Sequence, residues 1–465
     1  MPAESPAKLW WAPRAWLVRD DVGGWFEGVT LEAGSDGTWH RIVPDTPAPP
    51  DATMLDGPVL PGLVDAHSHA FQRAFAGRAE TRSARDDDFW SWRDRMYAVA
   101  LRIEPPALEA IATQLYVELL TGGYTHVCEF HYLHRAPDGR RYDDALATSR
   151  ALVRAAIDTG IGLTVLPVLY ERAGFDAPAL RDDQRRFGIS ADDVIACRDG
   201  VRALRARNVD ASVAVHSLRA ASPASIRALS ERVAGDRGAI HVHVAEQQRE
   251  VDDCLRSTGE RPIAWLAAHA HLDARWQLVH ATHATPEEIE AVARSGAGVV
   301  VCPTTEANLG DGVPDLERWL DAGVPLSLGS DSNVARDWPD ELRTLEYAQR
   351  LAVRRRNVAA RPERGSPSTA GTLLARMLDG GRRAAGLSAW GLVEGARADL
   401  LVLDGDDAVL ANVRDDEVLD ALVFAARAHA IRHVMVGGRW VVRDRVHANG
   451  AAIAAAFREA MRPWR

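Results

Sequence analysis

The chain has 465 residues, with 65 acidic and 55 basic side chains and a formal net charge of −10. This acidic balance argues against a nucleic-acid-binding protein, because such proteins usually carry basic patches. The four cysteines, Cys128, Cys197, Cys254 and Cys302, are scattered, which favours a reducing compartment without a disulfide framework. No apolar run reaches the roughly 18 residues that a membrane span needs. We therefore expect a cytoplasmic protein with no nucleic-acid or membrane partner.

The two ends of the chain share one pattern. The first sixty residues are rich in Trp, Gly, Pro and Val, with turn signals between short extended runs. The tail has similar runs at residues 398–405 and 433–442, the second around a Gly-Gly turn. We predict that both ends form one small β-sandwich domain, made of residues 1–57 and 392–465.

Between the ends, short apolar runs alternate with amphipathic helical stretches, such as residues 106–121, 142–159 and 286–295. This alternation is typical of parallel βα units. Eight strands are predicted, at residues 59–65, 125–130, 162–168, 212–215, 240–244, 276–279, 298–301 and 326–329. Eight such units predict an α/β fold, a (β/α)8 TIM-like barrel over residues 58–391.

Polar side chains follow most of these strands. The first strand ends in His67-Ser68-His69, and in an extended segment this spacing puts both imidazoles on the same side. The carboxyl ends of barrel strands meet on one face, where active sites lie, so we expect the polar groups to form one pocket. The groups after later strands are His131, Tyr132, His216, Arg219, His243, Glu246, His280 and Asp331.

Three imidazoles and one carboxylate, those of His67, His69, His243 and Asp331, form a nitrogen-rich ligand set suited to Zn²⁺. We predict one Zn²⁺ per chain, with Fe²⁺ or another divalent metal as the alternative. Such an ion brings the pKa of water from about 15.7 towards about 7, so hydroxide becomes available at neutral pH.

A second metal ion is argued against by the lysine count. Lys8 is the only lysine and lies in a terminal segment without a strand-end position. Binuclear hydrolases on related barrels usually bridge two metals with a carboxylated interior lysine, and this chain has none to offer. Glu129 or Cys128 is the remaining candidate for a bridging ligand.

Two groups are predicted to move protons beside the metal. Glu246 follows His243 by three residues and leaves the strand towards the pocket, where it can exchange protons with a substrate nitrogen. His280 is a second acid or base, or it polarises the developing tetrahedral centre. Asp331 can also accept a proton from water, and the sequence leaves open which of Asp331 and His280 does so first.

This residue order resembles the mononuclear deaminase branch of the amidohydrolase superfamily. The matching features are the His-x-His of the first strand, the His-x-x-Glu of the fifth, the His of the sixth and the Asp of the eighth. The resemblance covers nearly the whole chain, including terminal β segments like that superfamily's small sandwich domain. It implies a metal-dependent hydrolase that forms a homodimer.

Six shorter segments resemble a narrower family, the deiminases that convert N-formimino-L-glutamate and water to N-formyl-L-glutamate and ammonia in histidine degradation. The resemblance implies the zinc ligands given above and catalytic roles for Glu246, His280 and Asp331. It also implies substrate contacts from Gln72, Arg93, Tyr132, His216 and Arg219. The segments are residues 67–73, 89–93, 129–134, 216–219, 243–247 and 302–312.

The chemistry of that substrate fits the same residues. A small-molecule dicarboxylate with a formamidinium needs a guanidinium fork and hydroxyl or imidazole donors at one end, and a carboxylate at the other. Arg219 and its neighbours offer the first, and Glu246 offers the second. Trp90 and Trp92 are interpreted as packing or lid residues.

Two alternatives stay open. A related aminohydrolase for a purine-, pterin- or triazine-like substrate would use the same metal chemistry, with aromatic stacking and amide hydrogen bonds in its pocket. A non-catalytic barrel kept as a binding or scaffold protein would be expected to have lost metal ligands.

Overall fold

The strands and helices follow from a computed structural model that describes residues 8–19, 22–82, 87–426 and 428–464. Parts of the predicted terminal domain, at residues 1–7, 20–21, 427 and 465, lie outside the described residues. The described strands are β1 (Lys8–Arg19), β2 (Val22–Ala33), β3 (Trp39–Val43), β4 (Thr53–Met54), β5 (Val59–Leu60), β6 (Leu63–Ser68), β7 (Tyr124–His131), β8 (Gly162–Leu169), β9 (Val209–Ala211), β10 (Val213–Val215), β11 (Ile240–Val244), β12 (Trp276–His280), β13 (Gly298–Val301), β14 (Leu326–Leu328), β15 (Leu400–Leu403), β16 (Ile431–Val436), β17 (Arg439–Arg443) and β18 (Val446–His447). The described α-helices are α1 (Phe89–Ala100), α2 (Pro105–Thr121), α3 (Ala147–Thr159), α4 (Ala191–Ala203), α5 (Pro223–Arg232), α6 (Gln248–Thr258), α7 (Pro262–His269), α8 (Pro286–Ser295), α9 (Pro303–Leu309), α10 (Leu316–Asp321), α11 (Trp338–Val353), α12 (Thr369–Ala384), α13 (Val418–Phe424) and α14 (Gly450–Ala460).

Eight parallel strands form the predicted barrel, in the order β14-β13-β12-β11-β10-β8-β7-β6. Its first and last strands meet beyond their carboxyl ends. There the Asp331 amide donates to the carbonyl of His67 at 2.9 Å, and the His69 amide donates to the carbonyl of Asp331 at 3.1 Å. The barrel therefore closes at the residues expected to bind metal, and the predicted fold class is confirmed.

The predicted strand boundaries hold to within a few residues, with one exception. The run at 59–65 divides into β5, which pairs with β1 and β15, and β6, which begins the barrel. The division falls at Pro61 and Gly62, because proline has no amide to donate to a ladder. A Cβ at Gly62 would lie 2.2 Å from the Thr125 hydroxyl, so any larger residue at this position would clash with Thr125.

Strands from both ends of the chain form a second sheet, in the order β18-β17-β16-β15-β5-β1-β2-β3, with β4 beside β1. This sheet has its own apolar core, which includes Trp10, Trp39 and Met435. The predicted pairing of the two ends is thus confirmed. The exact domain boundaries stay a prediction, although β5 already belongs to the terminal sheet.

Helices cover the outside of the barrel. The second half of α12 packs on β14 and β6. Gly380 lies against the backbone of Leu326 in β14, and Gly381 lies against the side chain of Val64 in β6. Among the described residues, no helix is both long and apolar enough to cross a membrane.

Candidate active site

Four electron-rich atoms meet at the closure of the barrel. His67 Nε2 lies 3.2 Å from His69 Nε2 and 3.0 Å from His243 Nε2. Asp331 Oδ1 lies 3.4 Å from His67 Nε2 and 3.1 Å from His69 Nε2. All four side chains are buried, so the predicted metal ligands, although far apart in the sequence, form one cluster.

The hydrogen bonding and charge of these imidazoles are compatible with a bound cation. His69 Nδ1 lies 3.0 Å from the carbonyl of Phe130, which can only accept, so Nδ1 carries a proton and Nε2 is directed at the cluster. Burial lowers the pKa of His67 to about 3 and that of His243 well below its usual range, so both are neutral near pH 7. The neutral imidazoles of His67 and His243 therefore lie beside the Asp331 carboxylate, an arrangement that a bound cation would stabilise.

The spacing also fits a metal ion. Ligands about 2.0–2.1 Å from a tetrahedral ion are separated by about 3.3 Å from one another, close to the distances given above. The three histidines form one of the groups of possible ligand atoms in the described part of the chain. Two further groups share His280, and there a proton on the imidazole can bridge the carboxylates. The three histidines, with Asp331 beside them, are therefore the residues whose geometry suits a divalent metal.

The loop after β14 is held in a strained conformation that aims Asp331 at this cluster. Asp331 has φ +47°, a left-handed conformation that a non-glycine residue adopts at a cost of about 1–2 kcal/mol. Asp65 accepts from the amide and the hydroxyl of Ser330 at 2.9 and 2.6 Å. Asn333 Nδ2 donates to the carbonyls of Asp331 and His69 at 3.0 Å each. These bonds stabilise the strained turn.

Glu246 and His280 lie beside the metal ligands, as predicted. His280 Nε2 is 3.7 Å from Glu246 Oε1 and 3.7 Å from Asp331 Oδ2. Burial raises the pKa of Glu246 to about 7. Burial alone lowers the pKa of His280, but Glu246 and its neighbouring carboxylates outweigh it and raise that pKa to about 10. A buried carboxylate and an imidazole with shifted pKa values therefore lie next to the proposed metal ligands.

Two further carboxylates of the site were not singled out from the sequence. Glu306 Oε1 accepts from the amide of Cys302 at 2.9 Å and lies 3.3 Å from His280 Nδ1. Asp311 accepts from Gln247, and burial raises its pKa to about 9. Both belong to the segment 302–312 that directly follows the seventh barrel strand. Applying the strand-end rule there would have found them.

The two candidates for a bridge to a second metal lie elsewhere. Glu129 Oε1 accepts from the amide of Ala70 at 2.5 Å, and burial raises the pKa of Glu129 well above its usual range. Cys128 is fully buried, and its thiol pKa is also raised by burial. Neither appears in the groups of possible ligands among the described residues.

The predicted substrate residues line the same cavity. Gln72 Nε2 donates to the Tyr132 hydroxyl at 3.1 Å, and Gln72 Oε1 is buried without a partner among the described residues. The ring centres of His216 and His243 are 5.0 Å apart, so His216 lies against the metal cluster. Arg93 and Arg219 also line the cavity, and the buried Arg93 Nε has no hydrogen-bond partner in the described part of the chain.

One strand-end histidine does not join the pocket. His131 Nε2 lies 3.0 Å from the Thr148 hydroxyl on α3, so it faces the helix layer. The expectation that all the strand-end groups converge is therefore wrong for His131. It is the last residue of β7, and side chains of alternate residues point to opposite faces of a strand.

Comparison with known proteins identifies the class. The model of the amidohydrolase family matches residues 59–441, which include the barrel and every residue of the site. The chain belongs to this family.

Three relatives are informative about the branch within it. The chain is 46% identical over 436 residues to formimidoylglutamate deiminase of Pseudomonas aeruginosa, covering 93% of this chain and 95% of that protein. It is 30% identical over 402 residues to 8-oxoguanine deaminase of the same species, covering 86% of each. The crystal structure of an amidohydrolase from Brucella melitensis superposes with a TM-score of 0.91 at 39% identity, covering 98% of this chain and 99% of that one.

Proposed function

We propose that this protein is a zinc-dependent deiminase that hydrolyses N-formimino-L-glutamate to N-formyl-L-glutamate and ammonia. The observation that carries the proposal is one cavity with a metal-ligand cluster and an acid–base pair on one side and two guanidiniums on its lining. The 46% identity to formimidoylglutamate deiminase over nearly the full chain supports the same substrate. A purine has no pair of carboxylates to match Arg93 and Arg219.

The cavity lining suggests how the substrate lies. Arg219 and Arg93 bind the carboxylates through charge-assisted hydrogen bonds. Gln72, Tyr132 and His216 contribute an amide, a hydroxyl and an imidazole around the chain of the substrate. Glu246 faces the formamidinium, so the formimino carbon lies beside the four metal ligands.

When bound there, a divalent metal supplies the Lewis acidity that makes water a nucleophile near neutral pH. Asp331 receives the proton that the water loses, while His280, which its raised pKa of about 10 keeps protonated, lies 3.7 Å from Asp331 Oδ2 and stabilises the negative charge that develops. The water oxygen bonds to the formimino carbon, and the double bond from this carbon to the terminal nitrogen becomes a single bond. Glu246 takes the proton of the new hydroxyl and delivers it to that nitrogen, so the carbon–nitrogen bond breaks, the carbonyl forms, ammonia departs and N-formyl-L-glutamate remains. The proton held by Asp331 is then released with the products.

The choice of zinc rests on the donor set. Three neutral imidazoles and one carboxylate suit Zn²⁺ better than Mg²⁺ or Ca²⁺, which prefer oxygen ligands. We also propose a cytoplasmic homodimer that acts on small molecules. Four buried free cysteines support the reducing compartment. Sedimentation of the purified protein tests the dimer, since a monomer at micromolar concentration would contradict it.

Ammonia release tests the proposal. Protein of known zinc content is incubated with N-formimino-L-glutamate and, in parallel, with 8-oxoguanine and a panel of purines, pterins and triazines. We expect ammonia from N-formimino-L-glutamate alone. Turnover of a heterocycle, without turnover of N-formimino-L-glutamate, would replace this proposal with the aminohydrolase alternative.

A further inference from the structure

The indole of Trp90 has three guanidinium groups around it, and they come from three parts of the chain. The distance from the guanidinium carbon to the ring centre is 4.7 Å for Arg93, 5.0 Å for Arg219 and 4.7 Å for Arg249. Arg93 lies one turn after Trp90 on α1, Arg219 follows β10, and Arg249 lies in the first turn of α6. One aromatic ring thus connects α1 with two different strand ends.

These cations are only partly balanced by protein carboxylates. Arg93 pairs with Asp94 at 3.2 Å, but the Asp94 side chain is 56% exposed and also pairs with Arg181. Arg249 lies 3.8 Å from Asp253. Among the described residues, none places a carboxylate oxygen within 4.0 Å of the Arg219 guanidinium. Glu250 and Glu246 attract Arg219 only from beyond that distance, so among the described residues no buried carboxylate pairs closely with any of the three guanidiniums.

Attraction to the ring offsets the repulsion between these cations. A guanidinium within about 6 Å of a Trp centroid is attracted by the negative face of the ring, and Trp is the strongest of the aromatic partners. We propose that Trp90 is a positioning residue for substrate specificity, which gathers Arg93 and Arg219 in the cavity and Arg249 at its rim to bind a dicarboxylate. This inference rests on the proposed function and deepens it.

Packing alone does not account for the arrangement. Trp90 is only partly buried, and the Arg249 side chain is 65% exposed, so no core requires either contact. The Arg93 side chain is nine-tenths buried, yet its Nε donor has no partner among the described residues. An anion with two carboxylates would satisfy that donor and balance the charge that a monocarboxylate leaves uncompensated.

The test compares Trp90→Phe, Trp90→Leu and Arg249→Gln with the wild type. Trp440→Leu is the matched control, since Trp440 contacts Arg443 at 5.5 Å in the terminal sheet, away from the cavity. We expect Trp90→Leu to raise KM for N-formimino-L-glutamate about tenfold while kcat changes less than about threefold. The KM of Trp90→Phe should lie between those of the wild type and Trp90→Leu, because phenylalanine keeps a weaker π face. Arg249→Gln should raise KM by about threefold to tenfold.

Calorimetric binding of N-formyl-L-glutamate, with N-formyl-L-norvaline as the monocarboxylate probe, gives a readout independent of turnover. We expect Trp90→Leu to reduce the preference for the dicarboxylate, and Trp440→Leu to leave it unchanged. An unchanged preference and KM in folded Trp90→Leu would overturn the inference, and so would an unchanged KM in the exposed-site variant Arg249→Gln. Failure of the proposed function is distinguishable, because the wild type would then release no ammonia from N-formimino-L-glutamate.

Discussion

At the scale of single residues, the site contains strained backbone conformations and buried charges, and both lower the stability of the folded protein. His280, Ala281, Ala245 and Asp331 all have positive φ, between +47° and +70°, at the carboxyl ends of three barrel strands. Left-handed backbone at non-glycine residues is retained mainly where the surrounding structure enforces it, often at functional sites. Here each turn lies beside the metal-ligand cluster or the acid–base pair. Strain and buried charge therefore coincide with the proposed chemistry.

Replacing Glu246 with glutamine tests the proton-transfer role. The amide of glutamine cannot carry the proton, so we expect Glu246→Gln to lower kcat about 10²- to 10⁴-fold. The metal content should stay at the wild-type value, because the ligand atoms are those of the histidines and Asp331. Glu290→Gln, at a side chain 69% exposed on α8, is the control and should retain full activity. Normal kcat in Glu246→Gln would assign proton delivery to another group.

Replacing Arg219 with methionine tests the carboxylate contact. The substitution keeps most of the side-chain length but removes the charge and the fork of donors. A charge-assisted hydrogen bond contributes about 1.5–3 kcal/mol, so KM should rise about 10- to 100-fold with little change in kcat. Arg140→Met, at a side chain 84% exposed, should leave KM unchanged. Steady-state kinetics that show normal KM for Arg219→Met would refute the contact.

At the scale of elements, close backbone contacts position the helices that carry no site residues. A Cβ at Gly380 of α12 would lie 1.9 Å from the carbonyl oxygen of Leu326 in β14. Asp331 follows β14 in the chain. The packing of α12 on this strand therefore supports the loop that carries Asp331. Helix propensity thus favours alanine at position 380, whereas packing against β14 favours glycine.

Gly380→Ala distinguishes these demands. In an exposed helix the change from glycine to alanine is stabilising by about 1 kcal/mol. Here the clash with backbone should instead lower the free energy of unfolding by about 1–3 kcal/mol. Gly450→Ala, where the new Cβ would make an ordinary contact of 3.7 Å at the start of α14, should be neutral or stabilising. Urea unfolding midpoints measure both, and a Gly380→Ala protein as stable as the wild type would contradict the packing argument.

The elements also show what the sequence could and could not predict. The barrel strands and the site residues at their carboxyl ends were predictable, because alternating apolar runs and the strand-end rule need only local pattern and topology. Pro61 marks the division between β5 and β6, but the assignment of β5 to another sheet depends on its pairing with β1 and β15, which local sequence pattern does not contain. The gathering of three arginines around Trp90 was also missed, because it joins α1, α6 and the end of β10 in three dimensions.

At the scale of the whole molecule, the proposed metal ligands come from distant parts of one barrel. His67 lies in β6 and His69 directly follows it, His243 lies in β11, and Asp331 follows β14. An ion bound by these residues cross-links the first, fifth and eighth strands of the barrel. Metal binding and barrel stability are therefore coupled, because the ligand set exists only in the folded chain.

Metal removal should lower stability as well as activity. A ligand present at about 1,000 times its Kd stabilises the folded state by about 4 kcal/mol, so chelation should lower the thermal midpoint measurably. In His243→Ala the chelator should have little further effect. His269→Ala, at a side chain 42% exposed, should respond like the wild type. Equal midpoints with and without chelator in the wild type would argue against a structural metal link between the strands.

A stepwise zinc titration tests whether one metal ion per chain is enough for the hydrolysis of N-formimino-L-glutamate. Metal-free protein receives Zn²⁺ in small increments, and ammonia release from N-formimino-L-glutamate is measured after each. We expect a linear rise in activity that ends at one equivalent of Zn²⁺ per chain. No ammonia at any zinc content, or a rise that continues to two equivalents, would contradict it.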